Sequence, residues 1–344
     1  FYALYEAKEK FTVSSFFNFT FSTSILCTTF IVIFFNGSYF HFALLRLAIV
    51  IIVLAMLIFH TRRSFEISFS METIWSFLKD AVPFGLYSIF WYSLQRLNII
   101  ILSLIHGTNP VGYFSNAFIF LVTLTFIPMN LNKVLIPFLY KTSYTSNKNR
   151  YQFTFDVFSK FLGILSFYVC VITFLFSENI IVLFFGNKYS PSIPILKIVS
   201  FAVPFLFNIA TTIITAIDHQ HINTKILGGG MVINIILNIL LIIPYQAGGA
   251  AIAAVATFLI IFLMSHFYIW KTNIISIQRV LFIYLRLIMT STIIIFIHYK
   301  LLTNIDWLIA FTINTIIYIA LTIIFLIRKT DLRILRETFP GKNS

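Results

Sequence analysis

The chain has 344 residues, 59% of them hydrophobic and 42 of them phenylalanine, with a mean hydropathy of +0.95 and only 10% charged residues. A soluble domain carries about a quarter charged residues, so this composition excludes both a water-soluble globular domain and a disordered chain. The net charge of +13 would suggest nucleic acid in a soluble protein, but in a membrane protein it must first be discounted for orientation, and no nucleic-acid partner is expected.

A membrane-spanning helix needs ~20 mostly apolar residues. In chain order such segments fall at about 13–35, 40–60, 81–105, 112–138, 153–176, 192–217, 226–243, 249–270, 280–299 and 306–327. They describe an all-α integral membrane protein with about ten transmembrane helices. Residues 66–80 interrupt the series. Ile67, Met71, Ile74, Trp75 and Leu78 recur there at helical spacing, with Glu66, Glu72, Lys79 and Asp80 between them. That is the pattern of a helix lying in the membrane interface, and Pro83 then opens the next span. The expected organisation is a two-span part over 1–65, a linker helix over 66–80, a six-helix lobe over 81–270, a helix pair over 280–328 and a tail over 329–344. Residues 178–191 read as a similar lip on the opposite side.

The loops alternate in charge. Of the 24 Lys and Arg, sixteen fall on one set of loops and the tail, from Lys8, Lys10, Arg62 and Arg63 through Lys225, Lys271 and Arg279 to Lys342. Only Lys188 and Lys300 fall on the other side. By the positive-inside rule the first side and the C-terminus are cytoplasmic.

Six basic residues remain inside the spans: Arg46, Arg96, Lys133, Lys160, Lys197 and Arg286. A Lys or Arg at mid-bilayer costs ~2.5–3.5 kcal/mol on insertion scales, so it pairs with an acid or faces a wet cavity. Arg46 and Lys197 lie about six residues from the outer surface and Arg286 about seven from the inner one, within snorkelling reach. Lys160 follows Asp156 by one turn, the spacing of a local ion pair. Arg96 is different. It lies about 15 residues into its span, roughly 22 Å from the inner end at 1.5 Å per residue. Ser88, Tyr92, Gln95, Arg96 and Ser103 share one helical face, while Leu86, Phe90, Leu94, Leu97, Ile101 and Leu104 cover the other.

Lys133 continues a stripe formed by Asn116, Thr123 and Asn130. Pro128 should break that span near Thr125, and Pro204 should break the one carrying Lys197, Asn208 and Thr215. Asn234 and Asn238 either join the same cavity or bond between helices. Gly228, Gly229 and Gly230 suit close helix packing. The expected substrate-binding set is therefore Arg96, Lys133, Gln95, Asn130, Tyr92 and Asn208, around a cationic, acid-poor interior. Such an interior attracts a large anionic solute, a phosphate or an acidic sugar, and repels organic cations.

Catalytic signatures are missing: there is no G-x-S-x-G, phosphate loop, glycine-rich dinucleotide turn or H-E-x-x-H. Asp218-His219-Gln220-His221 offers too few ligands for a metal and reads as a polar loop. Cys27 and Cys170 sit in apolar stretches and read as packing residues. No extramembrane stretch exceeds about 25 residues, which leaves no room for a soluble catalytic domain. A non-enzymatic protein without metal or cofactor is expected.

Three segments carry a resemblance. GTNPVGYFSNA (107–117) resembles the G-x-x-x-V-G-x-Y-x-x-A turn of bacterial polysaccharide flippases. FGNKYSPSIPILKI (185–198) resembles their F-G-x-x-Y-x-x-A-x-x-x-L-x-I segment, with Ile193 in place of a small residue. IPYQAGGAAIAAVAT (243–257) resembles P-x-x-G-x-x-G-A-A-I-A-T, with Gln246-Ala247 where the family has glycine. The opening YEAKEKF is similar to the loop after their fourth helix. Together these resemble the oligosaccharide flippases of the multidrug/oligosaccharidyl-lipid/polysaccharide transporter superfamily, O-antigen flippases in particular. The resemblance implies a two-lobed fold of twelve helices plus two, of which this chain would hold the fifth to the fourteenth. It implies a multi-pass protein of the bacterial inner membrane, engaged in polysaccharide or lipopolysaccharide biosynthesis. The substrate would be an undecaprenyl-pyrophosphate-linked oligosaccharide, with membrane lipids and other polysaccharide-assembly membrane proteins as partners. Family members often carry Asp near position 98, where this chain has Asn98. A drug or metabolite exporter of the superfamily would share the fold, but the cationic interior speaks against it. A polysaccharide polymerase or acyltransferase is the other alternative; polymerases usually need a long periplasmic loop, and the longest outer loop here is about 15 residues.

Overall fold

The computed structural model describes residues 11–61, 70–142, 148–272 and 276–326. Lys8, Lys10, Arg62, Arg63, the YEAKEK segment and the tail 329–344 lie outside the described residues. Within them every regular element is helical. The helices are α1 (Phe11–Phe34), α2 (Tyr39–Thr61), α3 (Met71–His106), α4 (Thr108–Leu124), α5 (Phe126–Thr142), α6 (Lys148–Leu175) and α7 (Ser177–Phe185). They continue with α8 (Ser192–Ser200), α9 (Val203–Leu206), α10 (Ala210–Ala216), α11 (Gln220–Lys271), α12 (Gln278–Ile297) and α13 (Trp307–Phe325).

Eight helices have the length and hydropathy of a membrane span, or nine when α8 and the bent α9–α10 segment count as one. The 52-residue α11 contributes two passes. Pro244 and Gln246, the latter at φ 50° and ψ −127°, break it. Its arms then fold back antiparallel: Asn234 Nδ2 donates to Thr257 Oγ1 at 2.9 Å, and a Cβ on Gly230 would meet Ile261 at 2.7 Å. A Cβ on Gly228 would meet Phe90 at 3.1 Å, so these glycines serve packing, as their run suggested. The ten passes read from the apolar runs are all present, in a multi-pass membrane protein.

The chain separates into two compact units, 1–78 and 79–344. In the first, α1 and α2 form a pair around a tight turn in which Gly37 N–H donates to Val32 O at 2.8 Å and Ser38 Oγ bonds His41 Nδ1 at 2.8 Å. Few of its described side chains are buried, among them Thr28, Val53 and Leu57; the hydroxyls of Thr20, Thr23 and Thr29 bond back to carbonyls of their own helix. An apolar surface with satisfied polar groups is what lipid contact requires. Of the interfacial helix expected over 66–80, residues 66–69 lie outside the described residues, and the chain from Met71 runs on without a break through Pro83 to His106. A proline forfeits one backbone hydrogen bond and can kink a helix without ending it.

The second unit has a continuous core in which Leu94, Phe114, Leu121, Leu139, Phe155, Leu196 and Ile213 are almost wholly buried. Two breaks shape it, both beside prolines. Pro128 has no N–H to offer the Leu124 carbonyl, and α4 ends there, with Thr125 Oγ1 donating to Val122 O at 2.6 Å. Pro204 sits where α8 turns by 45° into the α9–α10 segment. At one end, α6 is tied to the start of α12. Arg279 Nη1 donates to Asp156 Oδ2 at 3.1 Å, and Gln152 bonds Asp156, Ser276 N and Ser276 O. Asp156 also lies in the field of Lys160, one turn on. Arg286 donates to the Phe325 carbonyl at 3.1 Å, a cation placed at a helix C-terminus, where the dipole favours it.

Candidate substrate-binding site

Helix α3 buries Leu94, Asn98 and Leu102 against the second unit, each 1% exposed or less. The four-residue steps from Ser88 to Tyr92 and Arg96 therefore point the other way. Ser88, Tyr92, Arg96 and Ser103 are exposed, Tyr92 by 63%, while Gln95 is half-buried. Arg96 stands near the middle of the Phe84–His106 span, and among the described residues it has no ion-pair partner. A guanidinium at that depth facing hydrocarbon would be costly.

The other expected site residues lie elsewhere. Asn130 is exposed on α5, its amide bonded back to Phe126 O at 2.7 Å. Thr123 on α4 likewise bonds Ile119 O at 2.8 Å. Lys133 belongs to α5, but its side chain lies outside the described residues. Asn208 is buried and structural: its Nδ2 donates to Ser265 Oγ at 2.7 Å and its Oδ1 accepts the Ala210 N–H at 2.9 Å, closing the break before α10. Lys197 places Nζ 6.0 Å from the Phe174 ring centroid, a cation–π contact.

The cationic interior expected from sequence is not what fills the second unit. Its buried polar groups include Asn98, Thr125, Asn208, Thr212, Asn223, Thr224, Asn234, Asn238 and Thr257, and no Lys or Arg among the described residues is buried. Two networks account for most of them. In the first, Asn238 Nδ2 donates to Asn98 Oδ1 at 2.7 Å and to Asn234 Oδ1 at 2.8 Å, and Asn234 passes the chain to Thr257. This joins α3 to both arms of α11 and answers the question left open for Asn234 and Asn238 in favour of bonding between helices.

The second network surrounds a cavity of about 340 Å³ lined by Asn132, Thr211, Thr212, Thr215, Gln220, Asn223 and Thr224 with Phe84, Tyr87, Met129 and Ile136. A deeper chamber of about 100 Å³ shares Tyr87, Met129, Asn132 and Thr211 and adds Trp91, Asn208 and Phe258. Thr212 Oγ1 donates to Asn132 Oδ1 at 2.6 Å. Asn223 Nδ2 donates to Thr211 O at 2.7 Å and Thr215 Oγ1 at 3.0 Å. Sequence reasoning passed over Asn132, Thr211, Thr212 and Asn223. The signal available was the T-T-x-x-T run at 211–215, one helical turn of hydroxyls on a proline-broken span.

At the opposite end of the unit the three motif segments meet. Tyr113 and Tyr189 stand edge to face at 6.5 Å. His106 Nε2 bonds the Ile242 carbonyl at 2.9 Å, an acceptor left free by the break at Gln246. Gly107 and Gly186 take φ of 76° and 80°, a region that favours glycine.

Residues 2–194 match the family described as polysaccharide biosynthesis protein. An uncharacterised membrane protein of Methanocaldococcus jannaschii, MJ1068, is 29% identical over 203 residues, 57% of this chain and 39% of that protein. Among solved structures, the lipid II flippase MurJ in an inward closed conformation aligns with a TM-score of 0.65 at 19% identity, over 89% of this chain and 65% of that one. The chain thus spans about two fifths of the curated relative and just under two thirds of the solved structure. At this identity the likeness is one of fold.

Proposed function

The chain belongs to the polysaccharide biosynthesis protein family, and from that premise we propose that it works as a flippase, carrying a lipid-linked oligosaccharide across the membrane without catalysing bond chemistry. The observation that carries this reading is Arg96: a cation at mid-span depth, exposed beside Ser88, Tyr92 and Ser103, without an acid among the described residues. It suits an anionic headgroup, and the substrate class is an undecaprenyl-pyrophosphate-linked repeat unit, O-antigen or a related polysaccharide. Lys133 is the second cation of the path, with Gln95, Tyr92 and Asn130 as polar contacts. The end bearing Lys225, Lys271 and Arg279 faces the cytoplasm of the inner membrane. Residues 1–65 finish one lobe, 81–270 form the next and 280–328 close the chain. The lobes rock in alternating access, with the bends beside Pro128 and Pro204 absorbing the motion, while the polyprenyl tail stays in lipid.

The test is depletion in cells where this protein is the only flippase for its pathway. Lipid-linked repeat units are expected to accumulate on the cytoplasmic face, measured by comparing enzymatic release of the sugar in intact and in permeabilised spheroplasts. Surface chains one repeat unit long would point to a polymerase, and unchanged surface polysaccharide would contradict the assignment.

A further inference from the structure

Helix α12 contributes no residue to that transport path, yet it carries two arginines in a pattern of its own. It buries Ile283, Leu287 and Ile294, and Leu287 seats against Gly163 of α6, where a Cβ would meet it at 2.8 Å. That contact fixes the rotation of α12. Steps of three and four residues keep to one side of a helix, so Arg279, Phe282, Arg286 and Met289 form one outward stripe, and all four are exposed. The two arginines lie seven residues apart, ~10 Å along the axis at 1.5 Å per residue.

The described protein only partly matches their charge. Arg279 shares Asp156 with Gln152 and keeps its side chain 70% exposed. Arg286 uses one N–H, on the Phe325 carbonyl, whereas a guanidinium has five to give. Neither α12 nor α13 contains an Asp or Glu, and Asp156 is the one acid of α6, against Lys148, Arg150 and Lys160.

Depth narrows the choice of partner. The span Trp307–Phe325 ends at the residue whose carbonyl Arg286 holds, so the guanidinium stands where α13 leaves the apolar layer, at the level of lipid phosphates. Water would satisfy its donors but not the rest of the stripe, which Met289, Ile293 and Phe296 continue as exposed apolar surface deeper in the span. A face that is cationic at the helix start and apolar beyond matches an amphiphile with an anionic head.

We propose that Arg279 and Arg286 form a site for an anionic glycerophospholipid, its phosphate held by the two guanidinium groups around Phe282 and its acyl chains laid along Met289, Ile293 and Phe296. A zwitterionic phospholipid would bring an ammonium to a face that is already cationic, so the site selects net negative charge. It does not depend on the flippase reading; only the choice of leaflet depends on which end of the protein faces the cytoplasm.

The experiment is native mass spectrometry of the detergent-solubilised protein, titrated with phosphatidylglycerol or phosphatidylethanolamine of identical chains. One molecule of phosphatidylglycerol is expected to bind at least about tenfold more tightly than phosphatidylethanolamine, the difference made by one charge-assisted contact. Arg286→Gln, which keeps an N–H donor for the Phe325 carbonyl, should remove most of that preference, and Arg286→Lys, which keeps the charge, should retain it. Arg46→Gln removes one positive charge from the first unit and should leave the preference unchanged, which separates a local site from the net charge of +13. Equal binding of the two lipids would overturn the proposal. So would a loss in Arg46→Gln equal to that in Arg286→Gln, or displacement of phosphatidylglycerol by inorganic phosphate alone.

Discussion

Arg96→Gln is expected to abolish surface polysaccharide in cells that depend on this protein, at an unchanged level of protein in the membrane. A charge-assisted hydrogen bond to phosphate contributes ~1.5–3 kcal/mol, so its loss from the rate-limiting state lowers flux by roughly 10–100-fold. Poor insertion cannot produce the same result. Removing an arginine from mid-bilayer depth relieves an insertion cost of ~2.5–3.5 kcal/mol, so the variant should insert at least as well as the parent. Arg96→Lys should keep part of the activity, since it retains the charge but not the planar fork that grips a phosphate at two points. Lys160→Gln should have far less effect, because Lys160 stands beside Asp156 in the α6–α12 clasp. Normal polysaccharide display by Arg96→Gln would remove this residue from the mechanism.

Gly249→Val should be among the most damaging substitutions for folding. A Cβ at Gly249 would overlap the Leu241 carbonyl, backbone against backbone across the fold of α11, and neither arm can yield without opening the packing of Asn234 on Thr257 and Gly230 on Ile261. A loss of ~3–5 kcal/mol, the upper end for single substitutions, should appear as aggregated rather than monodisperse protein in size-exclusion chromatography. The neighbouring Gly248→Ala meets nothing within 4 Å and should behave as the parent does. Gln246→Gly should stabilise. A glutamine at φ 50° and ψ −127° occupies a region natural to glycine, and relief of such strain is worth ~1–3 kcal/mol. Thermal melting of the solubilised protein checks both directions, and tolerance of Gly249→Val would show that the hairpin is not packed as described.

The ten passes were legible because each is a long apolar run, and the breaks near Thr125 and Pro204 because proline lacks the N–H a helix needs. What periodicity could not supply was the direction of the α3 face. In water, a polar stripe marks the outside of a unit. In a bilayer, leucines serve equally for packing and for lipid contact, so the stripe at Ser88, Tyr92 and Arg96 could face either a unit's interior or its surface; Leu94, Asn98 and Leu102 take the buried side. Asn208 looked like a ligand and is spent on Ser265 and Ala210. The neutral cavity was illegible for another reason. Tyr87, Asn132, Thr212 and Asn223 come from four helices, and only the hydroxyl run at 211–215 marked any of them. Among the described basic residues, by contrast, several have a place: Arg279 and Arg286 hold helices together, Lys197 rests on Phe174, and Arg96 is exposed at mid-span.

Translocation itself is the central claim, and reconstitution measures it. The protein is placed in liposomes whose outer leaflet carries a fluorescent undecaprenyl-pyrophosphate-linked saccharide, and a sugar-cleaving enzyme added outside reports how much has moved inward. The account predicts a protected fraction that grows with time in the presence of the protein, and growth no faster than in protein-free liposomes for Arg96→Gln. Equal protection with and without the unmodified protein would contradict it.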